Sequence, residues 1–202
     1  MPKPYVPNDK WSKKAAEEGY RARSVYKLSE LDERFDLIHP GMKILDVGAA
    51  PGSWLQYISK KIGPQGIVLG IDLKPIVHIA GNVKTVVCDL TDALQVESAL
   101  ATVGWQKADL IVSDIAPNTS GIKDIDQWKS VELSRLVLEL SKKFLKSSGT
   151  LVMKIFRGKN FDPFIADIKA HFPRINVVEV EASRDRSREV YVVCFQGRKP
   201  GG

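Results

Sequence analysis

From Lys43 onward, short apolar runs alternate with segments of helical spacing, and few folds accept that pattern. Strands are expected at Lys43–Val47, Ile67–Ile71, Thr85–Cys88, Leu110–Ser113, Thr150–Ile155, Asn176–Val180 and Val190–Phe195. Helices are expected between them at Gly52–Ile62, Asp92–Ala101, Trp128–Leu145 and Pro163–His171. Lys74–Asn82 is short and poorly patterned, so no helix is expected there. Short links in a strand–helix alternation require parallel crossovers, with helices on both faces of the sheet. The last two strands are separated only by the basic loop Ala182–Arg188 and should form an antiparallel hairpin at or near a sheet edge. Upstream, Val25, Leu28, Leu31 and Phe35 have helical spacing that stops before His39-Pro40-Gly41. The expected fold is therefore α/β: a doubly wound, mostly parallel, Rossmann-like seven-stranded sheet with an antiparallel C-terminal strand. A basic helical extension, residues 1–38, should pack on a catalytic domain of residues 39–199.

Composition removes several function classes. The 202 residues are 44% hydrophobic and 27% charged, enough apolar surface for a real core. The longest stretch free of Lys, Arg, Asp and Glu is Val47–Ser59, 13 residues, short of the ~18 of a membrane-spanning helix. Met1–Lys14 has neither the apolar core of a secretion signal nor an Arg-rich import helix. Cys88 and Cys194 lie in strand-like apolar runs without metal-ligand spacing, as reduced core cysteines of a cytoplasmic protein would. His39, His78 and His171 show no metal spacing either, so no metal is expected.

The formal net charge is +6, with +4 on residues 1–27, +3 on residues 183–202 and −1 on the 155 residues between. Two readings are open. The ends are solvated termini, or they fold to one face as a phosphate-binding footprint, with Arg21, Arg23, Arg184 and Arg186 as its cations. Tyr5, Trp11, Tyr20 and Tyr26 are interleaved with the first basic end, either to stack on bases or to staple the extension to the body.

In an open α/β sheet, ligands bind beyond the carboxyl ends of the strands. Chemical residues fall there: Asp46 and Gly48 close the first strand, and Asp72, Asp89, Asp114 and Lys154 close the next four. Gly48-Ala49-Ala50-Pro51-Gly52 is a small-residue turn in which Pro51 suits the first helical turn. It lacks the G-x-G-x-x-G spacing, and Pro51 has no N–H to offer a pyrophosphate. Asp72 is placed to accept both hydroxyls of a ribose, and Asp89 the exocyclic amine of adenine. A nucleoside without a pyrophosphate fits both facts, and S-adenosyl-L-methionine is the common cofactor of that kind. Each Asp taken singly is as readily a strand-end cap.

Four more segments join this turn: Arg21–Leu28, Ser113–Asn118, Met153–Phe156 and Ser187–Tyr191. Together the five resemble the FtsJ/RrmJ family of S-adenosylmethionine-dependent RNA 2′-O-ribose methyltransferases, in the family's order and from about Lys10 to Lys199. The resemblance implies a catalytic Lys-Asp-Lys-Glu tetrad at Lys27, Asp114, Lys154 and Glu189. It implies cofactor contacts at Gly52, Trp54, Asp72, Asp89 and Asp114. Ser53 departs from the family's second glycine, but it is small. At this compact size the resemblance further implies a monomer, with no metal or membrane partner, acting on the large ribosomal subunit and its RNA, at a uridine of the peptidyl-transferase A-loop. Relatives acting on tRNA or mRNA caps are generally longer, and a non-catalytic ribosome-assembly factor would not need the tetrad.

The tetrad also makes chemical sense by itself. A 2′-hydroxyl must lose its proton as it attacks a methyl carbon, and a neutral lysine can take it. A free lysine titrates near 10.4, and burial or a like charge lowers that value. Lys154 is thus read as general base, Lys27 as the like charge, Asp114 as orienting group and Glu189 as support for Lys27. The bland alternatives are a solvated strand-end cap at Lys154, a hairpin ion pair between Glu189 and Arg186 or Arg188, and core packing for Trp54.

Overall fold

A computed structural model describes residues 10–183 and 188–197. Two helices, α1 (Lys10–Glu17) and α2 (Val25–Phe35), precede β1 (Lys43–Val47), α3 (Ser53–Ile62), β2 (Ile67–Asp72) and β3 (Val83–Val87). Then follow α4 (Ala93–Ala101), β4 (Ala108–Ser113), α5 (Lys123–Phe144), β5 (Leu145–Phe156), α6 (Phe161–Lys169), β6 (Arg174–Val178) and β7 (Glu189–Phe195). The seven strands form one sheet in the order β3-β2-β1-β4-β5-β7-β6. Pairing is parallel from β3 through β5, and β7 lies antiparallel between β5 and β6. The order reverses between β1 and β4, which opens a crevice at their carboxyl ends.

Period-two alternation gives the sheet two apolar faces. Ile44, Leu110, Val112, Val152 and Val193 meet Leu28 and Leu31 of α2 and Leu55, Ile58 and Ile62 of α3. Leu45, Val47, Ile111, Leu151, Met153 and Ile155 face Val96 of α4, Val137 and Leu138 of α5 and Phe164 and Ile168 of α6. Gly70 lets α3 lie close to the sheet, since a Cβ there would come within 2.7 Å of Leu55 Cδ1.

The doubly wound sheet, the antiparallel β7 and the helix-free link between β2 and β3 match the expectations. Boundaries differ where local chemistry misleads. Lys146-Ser147-Ser148-Gly149 reads as a loop, yet α5 passes directly into β5 at Leu145, which pairs with Ala108 across a register shift. Nor does Pro51 start a helix. Gly52 takes φ 103° as the N-cap, and α3 begins only at Ser53.

The aromatics of the extension pack on one another: ring centres are 5.1 Å apart for Trp11 and Tyr26 and 6.4 Å apart for Tyr20 and Tyr26. Tyr5 lies outside the described residues. Both cysteines are buried and unpaired, and burial pushes their thiols up. Among the described residues, no helix is long and apolar enough to cross a membrane, and no group of three or more His, Cys, Asp or Glu could hold a metal ion.

Candidate active site

Strand register assembles the central cluster. Residues directly opposite in an antiparallel pair share a face, and β5 sets Lys154 opposite Tyr191 and Phe156 opposite Glu189. Ser113 pairs with Met153, so Asp114, one residue beyond β4, arrives level with Lys154. The Lys154 Nζ donates to Asp114 Oδ1 at 2.8 Å and to the Asp114 carbonyl at 2.5 Å. The Tyr191 hydroxyl donates to the same Oδ1 at 2.6 Å. Above the sheet, α2 delivers Lys27, which pairs with Glu189, and Ser183 Oγ donates to Glu189 Oε1 at 2.6 Å. Lys27 and Lys154 are only 8% and 5% exposed. Such buried cations persist when paired, and here two ammoniums meet two carboxylates.

The carboxylates respond accordingly. Burial pushes Asp114 up, but Lys154 and Lys27, with hydrogen bonds from Lys154 and Tyr191, outweigh it and hold the group below the ordinary carboxylate range. Glu189 is likewise pushed up by burial and held low overall, chiefly by Lys27. Asp46 goes the other way. It is buried, it faces the charges of Asp114 and Asp72, and it titrates well above an ordinary Asp. Its Oδ2 is buried with no hydrogen-bond partner.

Asp46 borders a narrow cleft lined also by Ser24, Gly48, Ser53, Trp54 and Asp114 among others. A larger cleft of about 590 Å³ opens beside Pro64, Ile67 and Asn82, at the amino ends of β2 and β3, and among the described residues no charged side chain lines it. The chemistry belongs to the narrow one. The Trp54 ring centre is 6.2 Å from that of Tyr191, and its indole N–H donates to the Ser24 carbonyl at 2.7 Å, so Trp54 is at once core and wall. Gly48, at φ 77°, admits Ile115: a Cβ would come within 2.8 Å of Ile115 Cβ.

Not every expected residue gathers here. Gly52, Asp72 and Asp89 do not line the cleft. Asp72 accepts from the amides of Ala50 and Lys74, both at 2.9 Å, tying the turn after β1 to the end of β2. Asp89 Oδ1 accepts from the amide and hydroxyl of Thr91, which lowers its pKa. Arg21 donates to three backbone carbonyls, and Arg23 donates to the Ala182 carbonyl at 3.2 Å. Arg184 and Arg186 lie outside the described residues. Sequence reasoning assigned no role to Tyr191, Ser24 or Ser183, and named Asp46 only as one of the carboxylates at the strand ends. Tyr191 had a signal: it sits two residues from Glu189 on a strand and so shares its face.

The family model for FtsJ-like methyltransferases matches residues 20–197. The chain belongs to the FtsJ-like methyltransferase family. This methyltransferase is 41% identical over 185 residues to "Ribosomal RNA large subunit methyltransferase E" of Methanothrix thermoacetophila, covering 92% of this chain and 71% of that protein. A protein of the same description from Cellvibrio japonicus is 40% identical over 186 residues, covering 92% and 88% of the two chains. Among solved structures, a Plasmodium falciparum protein described as a ribosomal RNA methyltransferase superposes with TM-score 0.78 at 28% identity. That match covers 89% of this methyltransferase and 100% of the Plasmodium chain.

Proposed function

We propose that this chain transfers a methyl group from S-adenosyl-L-methionine to the 2′-hydroxyl of a ribose in large-subunit ribosomal RNA, at a uridine of the A-loop. The observation that carries the reading is the buried Lys154–Asp114 pair, backed by Lys27–Glu189, with Asp114 and Asp46 both lining the narrow cleft. The relatives named for the large ribosomal subunit support the RNA, as does the basic Arg23 next to Ser24 of the cleft.

The residues present suit that donor. When bound, S-adenosylmethionine supplies a methyl group already activated on a positively charged sulfur. Asp46 offers an unpartnered buried oxygen, and Asp72 and Asp114 add negative charge around it, so the cleft favours a cation. Asp72 and Asp89, which lie outside the narrow cleft, would hold the nucleoside part, and Gly52 and Trp54 would complete the binding surface.

Lys154, once it has given up its own proton and is a neutral amine, takes the proton of the attacking hydroxyl on the Nζ lone pair. Two of its three Nζ directions are held by Asp114, which leaves the third for the acceptor oxygen. Lys27, kept in place by Glu189, sets a second cation where negative charge develops on that oxygen. Tyr191 completes the shell of Asp114. Much of the rate comes from alignment of two bound reactants. The chain acts as a monomer, with its helical extension packed on the catalytic domain and no metal taking part.

The test is Lys154→Ala, assayed by mapping ribose methylation in ribosomal RNA and weighing the nucleoside product. The expected result is a loss of transfer of roughly 10²–10⁴-fold with S-adenosylmethionine binding retained. A methyl found on the base, or no transfer by the unaltered protein, overturns the proposal.

A further inference from the structure

Arg21 precedes α2 and sits in the basic extension, where a phosphate contact is the first expectation. Its guanidinium is directed elsewhere. Nη1 donates to the Pro51 carbonyl at 3.0 Å and the Val77 carbonyl at 2.9 Å, and Nη2 donates to the His78 carbonyl at 3.0 Å. Pro51 lies in the turn after β1, while Val77 and His78 lie in the helix-free link between β2 and β3. The turn supplies Gly48, Ala49 and Ala50 to the wall of the narrow cleft, and one planar fork joins it to the link.

Independent details fix the fork. Gly52 packs against it, since a Cβ there would fall 3.0 Å from Arg21 Nη1. The Arg21 amide donates to Gln56 Oε1 at 2.9 Å, and Gln56 Nε2 donates to the Gly19 carbonyl at 3.0 Å, which anchors this stretch of chain on α3. The far end of the bridged link is tied by Asn82, whose side chain donates to the Ser59 and Gly63 carbonyls at 3.0 and 2.9 Å, while Val77 and His78 lie midway. The link has no helix, and Val77 is 77% exposed, although Ile76 and Ile79 pack on the core.

We infer that Arg21 is a positioning residue for the methyl donor, a clasp that holds the loop of Val77 and His78 against the turn of Pro51 and Gly52 and so keeps one wall of the donor site closed. This deepens the S-adenosylmethionine reading and rests on it. The clasp requires the geometry of a guanidinium and not only its charge, because two nitrogens must reach three carbonyls on two loops.

The experiment compares the unaltered protein with Arg21→Ala and Arg21→Lys. S-adenosylmethionine binding is measured by calorimetry without RNA, amide hydrogen exchange is measured without ligand, and RNA affinity is followed across salt. Both variants should bind S-adenosylmethionine about tenfold more weakly, the scale of lost charge-assisted hydrogen bonds. Amides around Val77 and His78 should exchange faster while those of β1 and β4 do not, which separates a loosened loop from a misfolded chain. The KM for S-adenosylmethionine should rise with little change in kcat. Wild-type donor affinity and exchange in both variants, or an Arg21→Ala protein altered only in its RNA salt dependence, would overturn the inference and make Arg21 a phosphate contact. Failure of the unaltered protein to bind S-adenosylmethionine would instead overturn the donor reading itself.

Discussion

Asp46 shows how one side chain can serve a site at the expense of the fold. Its buried, partnerless oxygen and raised pKa mean that burial of the charged form is unfavourable. A carboxyl whose pKa is raised in the folded state contributes stability at low pH, and that contribution disappears as pH rises through the raised value. Asp46→Asn removes this liability while keeping the shape. The variant should unfold at an equal or higher temperature near neutral pH, by a few degrees for roughly 1 kcal/mol, and its advantage should shrink on acidification. The same change removes the charge that suits a sulfonium, so S-adenosylmethionine affinity should fall. A variant that is less stable at neutral pH would contradict the account of Asp46, and thermal unfolding across pH is the measurement.

At the level of elements, the start of α3 bears most of the constraint. Gly52 caps it at φ 103°, and a Cβ there would meet Ile79 Cδ1 at 2.9 Å as well as Arg21. Strain at such a backbone costs on the order of 1–3 kcal/mol, before any displacement of neighbours. Gly52→Ala should therefore lower the unfolding free energy by that scale, read as a lower urea midpoint with an unchanged m-value, and an unaltered midpoint would show that the turn has another conformation available. α2 belongs to the same unit. Leu28 and Leu31 seat it on the sheet, and Trp54 and Ser53 bind its start at Ser24, so Lys27 has a fixed platform. The helical spacing of Val25, Leu28, Leu31 and Phe35 made that platform legible in the sequence. What Lys27 meets there was not, because its partner Glu189 arrives from the far end of the chain.

For the molecule as a whole, the paired carboxylates set the acid limit. Asp114 and Glu189 have lowered values in the fold. Their stabilisation is fully present above the ordinary carboxylate range near pH 4 and is lost as pH falls below it towards the folded values. Thermal stability should drop below about pH 4, and Glu189→Gln should flatten part of that drop; an identical acid profile in the variant would show that the buried pair contributes nothing. RNA affinity should fall steeply with salt, and Arg23→Ala should reduce the slope by about one unit, measured by titration at several salt concentrations.

The chain by itself determined the doubly wound sheet, its antiparallel last strand and the places where carboxylates and lysines follow strands, because period-two and period-3.6 burial are local patterns. Local chemistry misread the passage from α5 into β5, since only the pairing of Leu145 with Ala108 makes a strand of that Ser-Gly stretch. The tertiary structure alone decided which charges meet: Lys154 with Asp114 and Tyr191, Lys27 with Glu189, and Arg21 with three carbonyls. Those contacts join segments far apart in the chain. Strand register and the seating of α2 set them, and neither is written in any short run of residues.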